Sequence, residues 1–162
     1  MTQALDELLD GDARARKIST NALIGIILTK YAEWDRFADR FGYVSVSREL
    51  FRRLLENSER DEIANISSEL GARLPNELMN FWFKRANLDS ILALISLYCT
   101  YGGAGQYELE TDGSTYTVTA HHDLGEKWSL FLKGLFGRAM AELNIIPQFE
   151  TTRDLIVMRF RA

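Results

Sequence analysis

The stretch Gln106-Tyr107-Glu108-Leu109-Glu110-Thr111-Asp112-Gly113-Ser114-Thr115-Tyr116-Thr117-Val118-Thr119-Ala120 decides the fold class. Ahead of it, apolar residues recur at helical spacing. Within it, Tyr107, Leu109 and Thr111 alternate with polar neighbours, and Tyr116, Val118 and Ala120 do the same. A period of two is a strand period, and Asp112-Gly113 between the runs is a strong hairpin-turn signal. Just downstream, Trp128, Phe131, Leu132, Leu135, Phe136, Ala139, Met140 and Leu143 return to helical spacing from Gly125 onward. That apolar face is broad enough to lie across a sheet. A second hairpin closes the chain, Ile145 to Thr151 and Leu155 to Arg161. Strand–strand–helix–strand–strand predicts an antiparallel sheet with the Trp128 helix on one face. The fold class is therefore α+β: a helical N-terminal two-thirds followed by a ββαββ sheet with one packed helix.

Working back from the sheet, Asn87-Leu88-Asp89 opens a helix over Ile91 to Tyr101 that stops at Gly102-Gly103-Ala104-Gly105. Pro75 suits the first turn of a helix carrying Leu78, Met79, Phe81, Trp82 and Phe83. A separate helix with Ile63, Ile66 and Leu70 is expected to end at Gly71. Ser47 caps a helix with Leu50, Phe51, Leu54 and Leu55, and Gly42 with Tyr43-Val44-Ser45-Val46 forms a C-cap and an extended link. Two units follow: a helical element over 1–41 and an α+β sensory or interaction domain over 46–162.

The 162 residues are 46% hydrophobic and include three Trp, six Tyr and nine Phe, enough to build a real core. Net charge is −4, so no global field draws the chain to nucleic acid. Basic residues cluster locally at Arg14 to Lys17, at Arg48/Arg52/Arg53 and at Arg153/Arg159/Arg161. Binding through such patches would be steeply salt-dependent. One cysteine, Cys99, fits a reducing cytoplasm and a buried structural role. The acidic N-terminus without an apolar leader, and the shortness of every apolar run, predict a soluble cytoplasmic protein with no membrane association.

No catalytic constellation stands out, and no cofactor, metal or enzyme activity is expected. His121 and His122 end a strand, with Asp123 the expected cap of the next helix. Neighbours on a strand point to opposite faces, so the two imidazoles do not share a metal. Nothing in the spacing supports pairing Cys99 or Ser129 with His122 as nucleophile and base, and there is no Gly-x-Ser-x-Gly elbow. Gly102 to Gly105 follows a helix and precedes a strand, the reverse of a phosphate loop; a flexible joint is expected there. Glu108, Glu110 and Asp112 are expected on one solvated sheet face.

The N-terminus carries the functional signal. Leu5, Leu9 and Ala13 lie four apart, the basic set Arg14, Arg16 and Lys17 follows, and Ser19 is a good N-cap for a helix with Leu23, Ile24, Ile27, Leu28, Tyr31, Trp34 and Phe37. A two-helix unit this small rarely stands alone. The apolar surplus on Leu23, Ile26, Ile27 and Trp34 therefore demands a partner surface, and a twofold mate is the commonest.

The junction Ala13-Arg14-Ala15-Arg16-Lys17-Ile18-Ser19-Thr20-Asn21-Ala22-Leu23-Ile24 resembles the two-helix half of ribbon–helix–helix DNA-binding proteins, over residues 2–32. That resemblance implies a homodimeric transcriptional regulator. Ser19, Thr20 and Asn21 at the second helix N-terminus would meet a DNA phosphate, with Arg14, Arg16 and Lys17 strengthening the anchor. The family's base-reading strand precedes its first helix, whereas this sequence opens at Met1-Thr2-Gln3 on the helix itself. The strand is expected upstream or lost, and no base-reading residue is carried over. The second unit is similar in topology, and in its His121-His122-Asp123-Leu124-Gly125 segment, to haem-nitric-oxide-binding and vinyl-reductase-type sensory domains. The alternative function is a ligand-binding or protein-interaction module, without a DNA role, whose N-terminal helices only oligomerise. Expected partners are a second copy, DNA, and an unidentified small molecule or protein.

Overall fold

A computed structural model describes residues 2–162 and divides the chain into two compact units, one running to Ser45 and the other Val46–Ala162. The first unit is a helical hairpin, α1 (Gln3–Ala15) and α2 (Thr20–Lys30), continued by a π turn (Tyr31–Asp35), the short α3 (Arg36–Ala38) and a 3-10 turn (Asp39–Phe41). Leu9, Ala13 and Leu23 form its small core, flanked by Ile18 and Ile24. Gly42 ends the helical run at φ +71°, the left-handed conformation expected of a C-cap glycine.

The second unit comprises α4 (Arg48–Asn57), α5 (Arg60–Phe83), α6 (Leu88–Thr100), β1 (Gln106–Thr111), β2 (Thr115–His121), α7 (Glu126–Ala141), β3 (Gln148–Thr151) and β4 (Leu155–Arg161). The four strands form one antiparallel sheet in the order β1-β2-β4-β3. Register puts Tyr116 opposite Phe160, Val118 opposite Met158 and Ala120 opposite Ile156. These residues share the sheet face that turns inward, while Thr117, Thr119 and Arg159 lie on the other. The α7 helix packs against β3 and β4 with Trp128, Leu132, Leu135, Phe136, Ala139 and Met140 buried. The Trp128 ring stacks on Phe131 at 4.8 Å and meets the edge of Phe51 at 5.1 Å. The α+β class and the ββαββ order are those read from the alternation.

Local signals placed most boundaries. Ser47 accepts from the Leu50 N–H, Asn87 from the Ser90 N–H, and the Asp112 carboxylate from the N–H groups of Thr115 and Ser114 in the first hairpin turn. Those turn hydrogen bonds, Thr115 foremost, hold the Asp112 carboxyl down at about 2. Asp112 is thus a turn brace rather than a member of the Glu108/Glu110 face.

Four expectations are corrected. The helices read either side of Gly71 and Pro75 are one helix, α5. Gly71 does not end it, because its missing side chain serves packing: a Cβ there would lie 2.8 Å from Arg138 Cβ and 2.9 Å from the Leu135 carbonyl oxygen on α7. Pro75 lies four residues on, so the N–H it lacks is the one Gly71's carbonyl would have accepted. The strand expected from Ile145 begins only at Gln148, after Asn144 takes a left-handed φ of 59° and leaves Ile146 exposed. Asp123 does not cap α7, whose N-cap is Gly125; the Asp123 carboxylate instead pairs with Arg48. The glycine segment before β1 is a braced loop: Ala104 is fully buried and its carbonyl accepts from the Trp128 indole N–H at 3.3 Å.

Candidate functional site

In the first unit, α1 ends in Arg16 and a left-handed Lys17 (φ 57°), which turn the chain sharply into Ser19. Ser19 Oγ accepts from the Ala22 N–H at 3.1 Å, capping α2 as its position predicts. Arg14, Arg16, Lys17 and Asn21 are exposed around this turn. Their surroundings are not purely basic. The Arg14 Nε donates to the Asp10 carbonyl at 3.2 Å, and the Thr20 hydroxyl donates to the Asp10 carboxylate. An acidic group therefore already sits beside the α2 N-terminus, where an incoming anion would dock. The first N–H groups of α2, at Thr20 and Asn21, have no acceptor within their own helix.

The residues expected at a dimer interface separate into two pairs. Leu23 is taken up by the hairpin's own core, and Trp34 is buried with its ring 5.1 Å from that of Tyr43. Ile26 and Ile27 are 52% and 47% exposed, alongside Leu28 at 59% and Tyr31 at 58%. Ile27, Leu28 and Tyr31 follow Ile24 at i+3, i+4 and i+7, one continuous stripe along α2 and into the π turn that continues it.

The second unit holds an open cleft of about 480 Å3 lined by Arg48, Cys99, Thr100, Gly103, Gly105, Gln106, His121, His122 and Asp123. It lies where β1 begins and β2 ends, since Gln106 and His121 are direct cross-strand partners. Gly105 makes its wall fit: at φ +139°, a Cβ there would lie 2.3 Å from the His121 carbonyl oxygen. The Arg48–Asp123 ion pair spans from α4 to the β2–α7 junction. Cys99 is buried, and burial pushes its thiol up to about 12, away from the thiolate form that a nucleophile needs.

His122, whose edge lines the cleft, and Ser129, which spacing gave no reason to join, are hydrogen-bonded at 2.8 Å and both buried. The direction of that bond decides what it does. Ser129 Oγ donates its one proton to the Thr152 carbonyl at 2.8 Å, so it accepts from His122 Nε2–H. His122 Nδ1 in turn accepts the Leu124 N–H at 3.4 Å. A nucleophilic serine needs the reverse, its proton offered to the imidazole. The chain His122–Ser129–Thr152 is a structural brace from the β2 end through α7 to the β3–β4 turn. Asp154 reinforces it, accepting from Gly125 N–H through its carboxylate and from His122 N–H through its carbonyl. Among the described residues, no three His, Cys, Asp or Glu gather as a metal site would require, and no helix is long and apolar enough to cross a membrane.

Arg48, Thr100 and Gln106 were not marked by the sequence as site residues. Arg48 lies 75 positions from its partner Asp123, and no local spacing announces such a pair. No protein-family model and no curated protein matches the chain, so the functional reading rests on this geometry.

Proposed function

We propose that the chain is a homodimeric transcriptional regulator. Its N-terminal hairpin pairs two copies and anchors them to DNA phosphates, and its C-terminal α+β domain senses a ligand or recruits a partner. The observation that carries this reading is the joint placement, on one hairpin, of an exposed apolar stripe along α2 and an exposed basic turn at its capped N-terminus. A contiguous apolar patch bordered by polar residues marks an interaction surface. A second copy offers the same patch in a self-complementary arrangement.

Phosphate anchoring is limited to the turn, given the net charge of −4, and Asp10 moderates it. The test is retardation of duplex DNA across a salt series. The unmodified protein is expected to bind at low salt and release steeply as salt rises. Arg14→Ala/Arg16→Ala/Lys17→Ala, which removes three phosphate contacts, is expected to lower the slope of log K against log salt by roughly 2.7 per hairpin. Asp10→Asn, which removes the competing carboxylate, is expected to tighten binding. Retardation that survives the triple substitution with unchanged salt dependence would overturn DNA anchoring through this turn. The Asp10 carboxylate at Thr20 also favours a second reading, in which the hairpin only oligomerises. A dimer that retards no duplex at low salt would leave that reading alone.

A further inference from the structure

We propose that the cleft between α4, the loop after α6 and the β2–α7 junction binds a small zwitterion of the α-amino acid class, its carboxylate held by Arg48 and its ammonium by Asp123. The inference specifies the ligand-sensing part of the reading above and is independent of DNA anchoring.

Volume comes first. At about 480 Å3 the cleft falls within the range of small-molecule sites. Its chemistry narrows the class. The lining carries one guanidinium and one carboxylate, together with Thr100, Gln106 and the His121 imidazole; the ring nitrogens of His122 are already engaged. A simple anion would draw Arg48 off Asp123 and leave that carboxylate facing it unpaired; a simple cation would do the converse. A ligand carrying both signs replaces the single Arg48–Asp123 contact with two charge-assisted ones, the carboxylate taking the guanidinium in its forked geometry. Both partners are more than half exposed, and an exposed pair adds little stability, so exchanging it costs little. Gly103, which also lines the cleft, has open space where a side chain would stand, so a ligand's main-chain-like groups can come close to its backbone. Gln106 and His121, side by side on the same sheet face, reach the same space with hydrogen-bonding groups suited to the rest of the ligand.

The test is thermal unfolding and calorimetric titration of the full chain with the free amino acids, each beside its N-acetyl and carboxamide derivatives. At least one free amino acid is expected to raise Tm by roughly 3–6 °C at about ten times its Kd. The N-acetyl and carboxamide forms, each lacking one charge, are expected to give no shift. Arg48→Ala and Asp123→Asn, both at exposed positions, are expected to weaken binding at least tenfold while keeping the ligand-free Tm. Arg48→Lys retains charge without the fork and is expected to fall between. The proposal is overturned if no free amino acid shifts Tm up to its solubility limit, if a singly charged derivative binds as well as its parent, or if both variants bind undiminished. Salt-dependent DNA retardation is read separately, so loss of either proposal leaves the other standing.

Discussion

His122 shows what one buried titratable side chain does in this molecule. Burial, the largest cause, pushes its pKa below the ordinary 6.5, against smaller opposing pulls from Asp154 and Asp123; His121 adds a small push downward. The hydrogen bonds agree with this: Nδ1 accepts the Leu124 N–H, so protonating it would set two donors face to face. The neutral form is therefore the folded form. Below about pH 6.5 the unfolded chain binds a proton that the native chain resists, so stability is fully present above that pH and falls as pH drops through it. The expected slope is at most about 1.4 kcal/mol per pH unit for this one group. Urea unfolding between neutral and mildly acid pH measures it against His122→Gln, which has no proton to gain. An identical pH dependence in that variant would show that the brace does not sense pH.

At the scale of elements, α5 and α7 approach each other closely in the second unit. A Cβ at Gly134 would sit 2.0 Å from the Oγ of Ser67, which is itself fully buried and donates to the Ala64 carbonyl. With Gly71 answering from the other helix, each glycine makes room for the facing helix: Ser67 against Gly134, and Arg138 Cβ with the Leu135 backbone against Gly71. Gly134→Leu is expected to cost more than the roughly 1–3 kcal/mol usual for overpacking, because the atoms it strikes belong to a fixed helix. A denaturation midpoint unchanged by Gly134→Leu would contradict that packing. The α2 stripe calls for the opposite experiment. Ile27→Asp is expected to yield a monomer or an aggregate, and sedimentation at unchanged dimer mass by a folded variant would remove the interface. Elements like these divide what sequence could tell from what it could not. Caps at Ser19, Ser47 and Asn87 and the Asp112-Gly113 turn were legible because their bonds close within three residues. Gly71 was misread as a stop because the atoms that require it lie on α7, more than sixty positions away.

Over the whole molecule, the cleft was illegible for the same reason: its lining comes from residues 48, 99, 100, 103, 105, 106 and 121–123, which only the fold assembles. The basic turn was legible as a cluster. Its acidic counterweight was not, because Asp10 reaches Thr20 only after the hairpin closes. Charge, too, is local: a chain of net −4 concentrates its DNA-facing character, as proposed, at one exposed corner. The His122 brace has a consequence for how the folded chain meets the outside. One of its ring nitrogens carries a hydrogen and the other has lent its lone pair to a neighbouring amide, so neither is available to an electrophile or a coordinating surface. Though the sequence spells two histidines, the native molecule exposes one imidazole, that of His121, and keeps the other as internal scaffolding.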